Sequence, residues 1–359
     1  MQTINYKCPN CGATLPYHGE SGQMRCEYCD SEFDPEALRQ YDEVLNQQAA
    51  DSDQPIWEEY QNEGWQDESM GIFACRSCGA EVVAEETTAA TSCPYCGSTT
   101  VLSSRLTGVF KPDLVVPFTV GREAAKQALQ KFCKGKLLLS KSFLSETVID
   151  KIAGMYVPFW LYDCDVSADI NYRATRVHSY RSGEYQVTKT SHYLVRRAGE
   201  FSVQRLPVDG SQKMADAYME AIEPYDYSKA VNFTSAYLSG YTADKYDVDA
   251  EASKPRANQR ITASAQQLLR DTVIGYATVM PSGQRIDLHH GSIRYALMPV
   301  WLLNTTYRGK TYTFAMNGQT GKFVGNLPVS PARAVALFGI CAVAGGIIAA
   351  LIALLGRFM

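Results

Sequence analysis

Eight of the eleven cysteines sit at Cys8, Cys11, Cys26, Cys29, Cys75, Cys78, Cys93 and Cys96. Each of the second four lies 67 residues after its counterpart, so both sets read C-x2-C-x14-C-x2-C, one small unit used twice. Two cysteines separated by two residues on a tight turn can aim both sulfurs at one tetrahedral centre, and a second such turn completes a set of four thiolates. The spacing therefore predicts two four-cysteine sites, each holding one Zn2+ ion. A rubredoxin-like iron site uses the same sulfurs and geometry and stays as the alternative metal. The residue after the second cysteine of a pair often needs positive φ; here it is Gly12, Gly79 and Gly97, with Asp30 in the fourth place.

Other cysteine chemistry fits less well. Nothing resembling a secretory signal precedes Cys8, which argues against a disulfide framework. A thioredoxin-type pair needs one motif in a βαβ context, whereas here four pairs come in matched twos. Local pairing within each repeat closes shorter loops than cross-bracing does. Between the pairs there is room for a strand and its return, which predicts a zinc ribbon of about 25 to 30 residues, too small for its own apolar core and dependent on metal to fold.

The elements around these units differ sharply in charge. Residues 1–100 hold 18 Asp/Glu against four Lys/Arg, a formal −14, and the remainder holds 20 against 30, a formal +10; together they give the net −4. Nucleic-acid binding by zinc ribbons depends on basic side chains, so the acidic first part makes a nucleic acid an unfavoured partner. From Asp30 to Met70 there are thirteen acids and one base, Arg39, around the aromatic stretch "WEEYQNEGW". It reads either as a solvated linker whose Trp57, Tyr60 and Trp65 pack on a ribbon, or as an acidic and aromatic docking strip for a basic protein surface.

At the other end, Ala334–Leu355 is an uncharged run of 22 residues between Arg333 and Arg357. As a helix it is about 33 Å long, enough for a bilayer core. The reading is a single transmembrane helix with nearly all of the chain on one side, and eight thiolates place that side in the reducing cytoplasm.

Residues between the ribbons and this segment read as a strand-rich α+β domain. Helices are expected in "GREAAKQALQKFCKGK", with Ala124, Ala128, Leu129 and Phe132 on one face, in "SQKMADAYMEAI" and within "ASAQQLLRD". Strands are expected in "YVPFWLYDCDVSADINYRATRV" and "EYQVTKTSHYLVRRAGEFSVQRLPV", and in a meander from Val273 onward with "SGQ", "YRGKT" and "NGQTG" as turns. Pro158-Phe159-Trp160-Leu161 is echoed by Pro299-Val300-Trp301-Leu302, as if two strands presented Trp to a shared core.

Catalytic constellations are not visible. "NTTYRGKT" at Asn304–Thr311 is near a phosphate loop, but Asn stands for the first Gly and the context is strand, turn, strand. His178, His192, His289 and His290 lack a nucleophile or metal-spacing partner, and Cys133 and Cys164 read as buried small apolar residues. The expectation is a protein that is not an enzyme.

With "CPNCGA", "CRSCGA", "WEEY", "PFTVGREAAKQALQKFCKGK", "YVPFWLYD", "YLSGYTADKYDVDAE" and "MNGQTGKFVGNLP" on the page, the chain resembles a bacterial family of membrane-anchored double zinc-ribbon proteins. That family is often labelled TFIIB-type zinc ribbon or primosomal replication helicase-like. A helicase motor needs a phosphate loop, an acidic Mg2+ motif and two nucleotide-binding lobes, and none is visible here. The resemblance implies partners of phage-shock type and of SPFH (flotillin-like) type, and a role in envelope stress or membrane organisation.

The organisation expected is zinc ribbon 1 at 1–34, an acidic linker at 35–70, zinc ribbon 2 at 71–104, an α+β cytoplasmic domain at 105–330 and a membrane anchor at 331–359. The function expected is a non-enzymatic adaptor at the cytoplasmic face of the cell membrane, with the lipid bilayer and protein partners as its contacts. A replication-linked nucleic-acid binder is the alternative, and an enzyme in the α+β domain the third reading.

Overall fold

The structure, a computed structural model, describes residues 15–18, 22–27, 31–39, 57–67, 69–85, 93–98, 100–105, 109–139, 143, 152–307 and 309–355. The class is α+β with a large mixed sheet. The chain divides into two compact units, one of residues 1–60, 162–206 and 254–293, the other of residues 61–161, 207–253 and 294–359.

The first unit begins with three short antiparallel strands, β1 (Tyr17–His18), β2 (Gln23–Arg25) and β3 (Glu32–Phe33), in register Tyr17↔Met24 and Met24↔Phe33. Leu15, Met24, Cys26, Phe33 and Leu38 form a small buried cluster, with Leu194 packed against it. Residues 35–39 are helical, and the Asp34 side chain accepts the Glu36 and Ala37 N–H groups at 2.9 and 3.1 Å, satisfying donors that a helix start leaves open.

Its second core, Ile170, Tyr172, Ala174, Val195 and Val273, joins parts of β8 (Ala153–Ser182) and β9 (Tyr185–Asp209). These two pair around Gly183 and Glu184; Gly183 has φ +63°, which the first position of a type II′ turn demands. Helix α3 (Ala250–Asp271) starts where Asp249 accepts the Ala252 N–H at 2.7 Å. Within this unit Trp57 is buried, in an edge contact with Tyr162 at 4.9 Å, and its indole N–H donates to Asn258 at 2.8 Å. Neither reading of the acidic aromatic strip describes it: Trp57 packs on strand and helix, not on a ribbon, and is not an exposed anchor.

In the second unit, Met70–Cys75 (β4) pairs antiparallel with Glu81–Glu85 (β5) and Thr100–Arg105 (β6). From there the sheet continues to β11 (Thr242–Asp244), in register Val83↔Ala243, and β11 lies parallel to β8. Beyond β8 come β12 (Thr278–Tyr307), then β7 (Leu114–Val115) and β10 (Val231–Asn232); β13 (Lys310–Asn317) and β14 (Phe323–Gly325) extend from β12. Val116, Phe159, Leu161, Met298, Val300 and Leu302 belong to one buried cluster. Trp65 is also buried, edge-on to Phe233 at 5.0 Å, so it too is no docking anchor.

The two repeated tetrapeptides share that cluster through Phe159, Leu161, Val300 and Leu302, but not through their tryptophans. Trp160 packs with Tyr246 and Tyr295 and donates to the Val248 carbonyl at 2.9 Å. Trp301 sits with Phe118 and Tyr241 and donates to the Val120 carbonyl at 2.8 Å. Alternation along a strand puts neighbours on opposite faces, so each Trp meets its own surroundings.

Helix α1 (Arg122–Cys133) buries Ala125, Leu129 and Cys133, four residues apart, with Ala128 and Phe132 partly covered. Ala124, expected on that face, is exposed. A short helix, α2 (Asp216–Ala221), falls where expected. Of the three expected turns, Tyr307–Lys310 and Asn317–Gly321 are turns, whereas "SGQ" runs inside β12. A Cβ at Gly318 would stand 2.5 Å from the Phe118 ring and 2.8 Å from Pro299, so only glycine admits this packing. "NTTYRGKT" is the β12–β13 hairpin, in register Asn304↔Thr313 and Tyr307↔Lys310.

Helix α4 (Pro331–Leu355) carries an 18-residue window of mean hydropathy 1.8, none of it buried. Val335, Phe338, Ile340, Val343, Ile347 and Ile348 are each more than half exposed. Among the described residues this is the one helix long and apolar enough to cross a bilayer, which is consistent with a single-pass anchor.

Candidate metal centre

Cys75 ends strand β4, and the chain turns at once. The Gly79 N–H donates to the Cys75 carbonyl at 2.9 Å, and the Cys75 N–H to the Ala80 carbonyl at 2.8 Å. The second knuckle repeats the pattern, with Gly97 donating to Cys93 at 2.8 Å and Cys93 to Ser98 at 2.8 Å. Gly79 and Gly97 have φ of +70° and +75°, a region an L side chain avoids, so the glycine after each pair lets the turn close.

Together the turns bring the sulfurs of Cys75, Cys78, Cys93 and Cys96 within 4.8 Å of one another. Cys75 lies 3.5 Å from Cys96 and Cys78 lies 3.6 Å from Cys93, sulfur to sulfur. A tetrahedral zinc with bonds of about 2.3 Å needs sulfurs about 3.8 Å apart, close to the two measured pairs, so the set suits the ion. With four sulfurs the coordination is closed and leaves no place for a substrate, as in structural rather than catalytic zinc sites.

Ser98, by its side chain first, holds the Cys96 thiol low, at about 6, while burial pushes Cys78 and Cys93 up. Metal binding must therefore displace protons from the buried pair, and zinc uptake releases acid. Cys75 and Cys93 are covered and Cys96 is exposed, so one side of the centre faces solvent.

Three contacts tie the centre to the rest of its unit. Lys213 donates to the Cys78 carbonyl at 3.1 Å, Asn304 donates to the Pro94 carbonyl at 3.2 Å, and Tyr95 donates to Asp244 at 2.5 Å. Asp244 is fully buried, accepts Ser211 as well at 2.5 Å, and burial raises its carboxyl to about 7. Sequence reasoning passed over Asp244 and Lys213; the signal was the Asp in "YTADKYDVDAE", whose placement depends on β11 pairing.

Of the first cysteine set, Cys26 is buried in the cluster around Met24 and Phe33, and Cys8, Cys11 and Cys29 lie outside the described residues. The outlying thiols Cys133 and Cys164 are buried, and burial lifts each to about 11, where neither ionises at neutral pH. His178, His192, His289 and His290 are exposed, and His290 stands 3.2 Å from Asp165.

Over 348 residues the chain is 37% identical to the uncharacterized protein YdjG of Bacillus subtilis (strain 168), covering 97% of this chain and 96% of that protein. The chain belongs to the YdjG family. A family model for the PriA DNA helicase Cys-rich region domain, a zinc ribbon, matches residues 8–32. That range contains Cys8, Cys11, Cys26 and Cys29, so it is the first cysteine set that resembles the PriA-type ribbon, while the second is seen as a cluster of four thiols. No solved structure matches the chain.

Proposed function

We propose that this member of the YdjG family is a non-enzymatic, membrane-anchored zinc-ribbon adaptor that recruits partner proteins to the cytoplasmic face of the membrane. The observation that carries this reading is the closed four-sulfur centre: it suits a structural metal, and its acidic surroundings suit proteins better than phosphates. Each cysteine set holds one Zn2+, two ions per chain. Helix α4 supplies the anchor, and proteins of phage-shock or SPFH type, acting in envelope stress or membrane organisation, are the partners the family resemblance points to. Two ribbons held at one membrane raise the effective concentration of the second contact once the first has formed.

The test is a pull-down from native membranes with the full chain beside a variant carrying Ser at Cys75, Cys78, Cys93 and Cys96, with zinc counted on both. Loss of specific proteins together with about half the metal supports the adaptor. Proteins retained unchanged, or turnover of a metabolite by the variant, overturn it.

A second reading rests on the PriA-type match at residues 8–32. It makes the chain a membrane-tethered nucleic-acid binder, and a steep loss of single-stranded DNA binding with added salt would favour it.

A further inference from the structure

The β8–β9 hairpin ends in a two-stranded ribbon that is exposed on both faces: every residue from Arg176 to Gln186 is exposed, with Tyr185 at 77% and Tyr180 at 49%. Two strands with no covered face are marginal in water, and a third strand is the usual remedy. The two-residue Gly183–Glu184 turn sets the register, and Ser179 and Thr188 meet side chain to side chain across it at 2.9 Å. In that register Arg176, His178, Tyr180, Tyr185, Val187, Lys189 and Tyr193 share one face. Arg176 already stacks on Tyr193 and Tyr276, at 5.2 and 4.7 Å.

Among the described residues β9 pairs with β8 and with no other strand, so no described strand lies along its outer edge. From the two-residue turn, Ser182 and Tyr185 form the hydrogen-bonded pair, and pairs alternate from there. Gln186, Thr188 and Thr190 then direct their N–H and C=O groups outward. "YQVTKTSHY" contains no proline and one charge, Lys189, and is rich in β-branched and aromatic residues, so it lacks most devices that blunt an edge.

The sign of the charge selects the partner. Residues 173–197 carry six Lys/Arg against Glu184, a formal +5, although Arg196 is engaged by Asp169. A second copy of this edge would bring one basic hairpin against another, like charge against like. Nucleic acid and lipid headgroups share the negative charge and can accept from single N–H groups, but only a strand matches the alternating row of backbone donors and acceptors. We infer that the outer edge of β9, at residues 185–193, takes an extended acidic segment of a partner protein as an added strand, with a carboxylate meeting Lys189. This surface shares no residue with the four-sulfur centre, so it stands even if the ribbons recruit nothing.

The test uses the full chain in nanodiscs and a blocked peptide alternating Glu with Val. Binding slows amide exchange at Thr188 and Thr190 but not at Val187, whose N–H already faces β8. Thr188→Pro removes one outward donor and Lys189→Glu reverses the charge; each weakens the peptide about tenfold, or about 1.4 kcal/mol. Thr188→Ala, which keeps the N–H, binds like the parent. Unchanged exchange at Thr188 and Thr190 would overturn the inference, as would equal losses in the Ala and Pro variants. So would a single-stranded oligonucleotide, or phosphatidylglycerol vesicles, binding through Lys189 where the peptide does not.

Discussion

The phenol of Tyr95 donates to Oδ2 of Asp244 at 2.5 Å, and so locks the knuckle between Cys93 and Cys96 onto strand β11. The carboxyl is buried and the tyrosine partly so, and burial raises the pKa of each. A carboxyl raised to about 7 binds its proton more tightly folded than unfolded. Its share of stability is therefore full near pH 4 and is lost as pH climbs towards 7.

Asp244→Asn should remove that slope. With zinc bound throughout, the denaturation midpoint of the parent relative to the Asn variant should fall between pH 5 and pH 8. A gap that stays constant with pH would mean the carboxyl does not titrate in this window.

Tyr95→Phe leaves the Asp244 carboxylate with Ser211 as its side-chain donor among the described residues. The expected cost is about 1–3 kcal/mol at pH 8, where the carboxylate is charged, and less at pH 5. Denaturation at the two pH values reads this directly.

Cys93→Ser should lower zinc by one ion per chain and release exchange protection from β4 and β5, whose hairpin the metal closes. Elemental analysis paired with amide exchange checks both; full zinc content in the variant would disprove the four-sulfur ligand set.

Trp57→Ala should destabilise the first unit by about 3–5 kcal/mol, through the loss of the Tyr162 contact and a buried cavity, without changing zinc content. Thermal unfolding and metal analysis separate the two effects, and a stability near the parent's would return Trp57 to the role of a surface anchor.

Gly318→Ala should cost about 1–3 kcal/mol, because its Cβ would press on Phe118 and Pro299. A melting temperature equal to the parent's would show that the β13–β14 turn yields.

Much of this was legible in the chain. Alternation and turn glycines marked β8, β9 and the β12–β13 hairpin, and cysteine spacing marked the ligands that meet at 75–96. What escaped has physical reasons. Pro255 hid the first turns of α3, although Asp249 caps it. "SGQ" looks like a turn but stays in β12, where tertiary pairing overrides local preference. Trp57 and Trp65 sit among carboxylates, yet their rings are covered by residues far away in sequence. Asp244 drew no notice because one buried carboxyl carries no pattern; only the strand that delivers it beside Tyr95 gives it meaning.

The pairing of β5 with β11 also sets an order of events during synthesis. Residues 70–105 leave the ribosome complete with their four cysteines, while Thr242–Asp244 follows 137 positions after Arg105. At common rates of elongation that is a wait of roughly 7 to 30 seconds, with the outer edge of β5 still unpaired. A newborn chain supplied with metal spends the interval holding a finished hairpin. One without metal spends it with four unligated thiols beside that open edge.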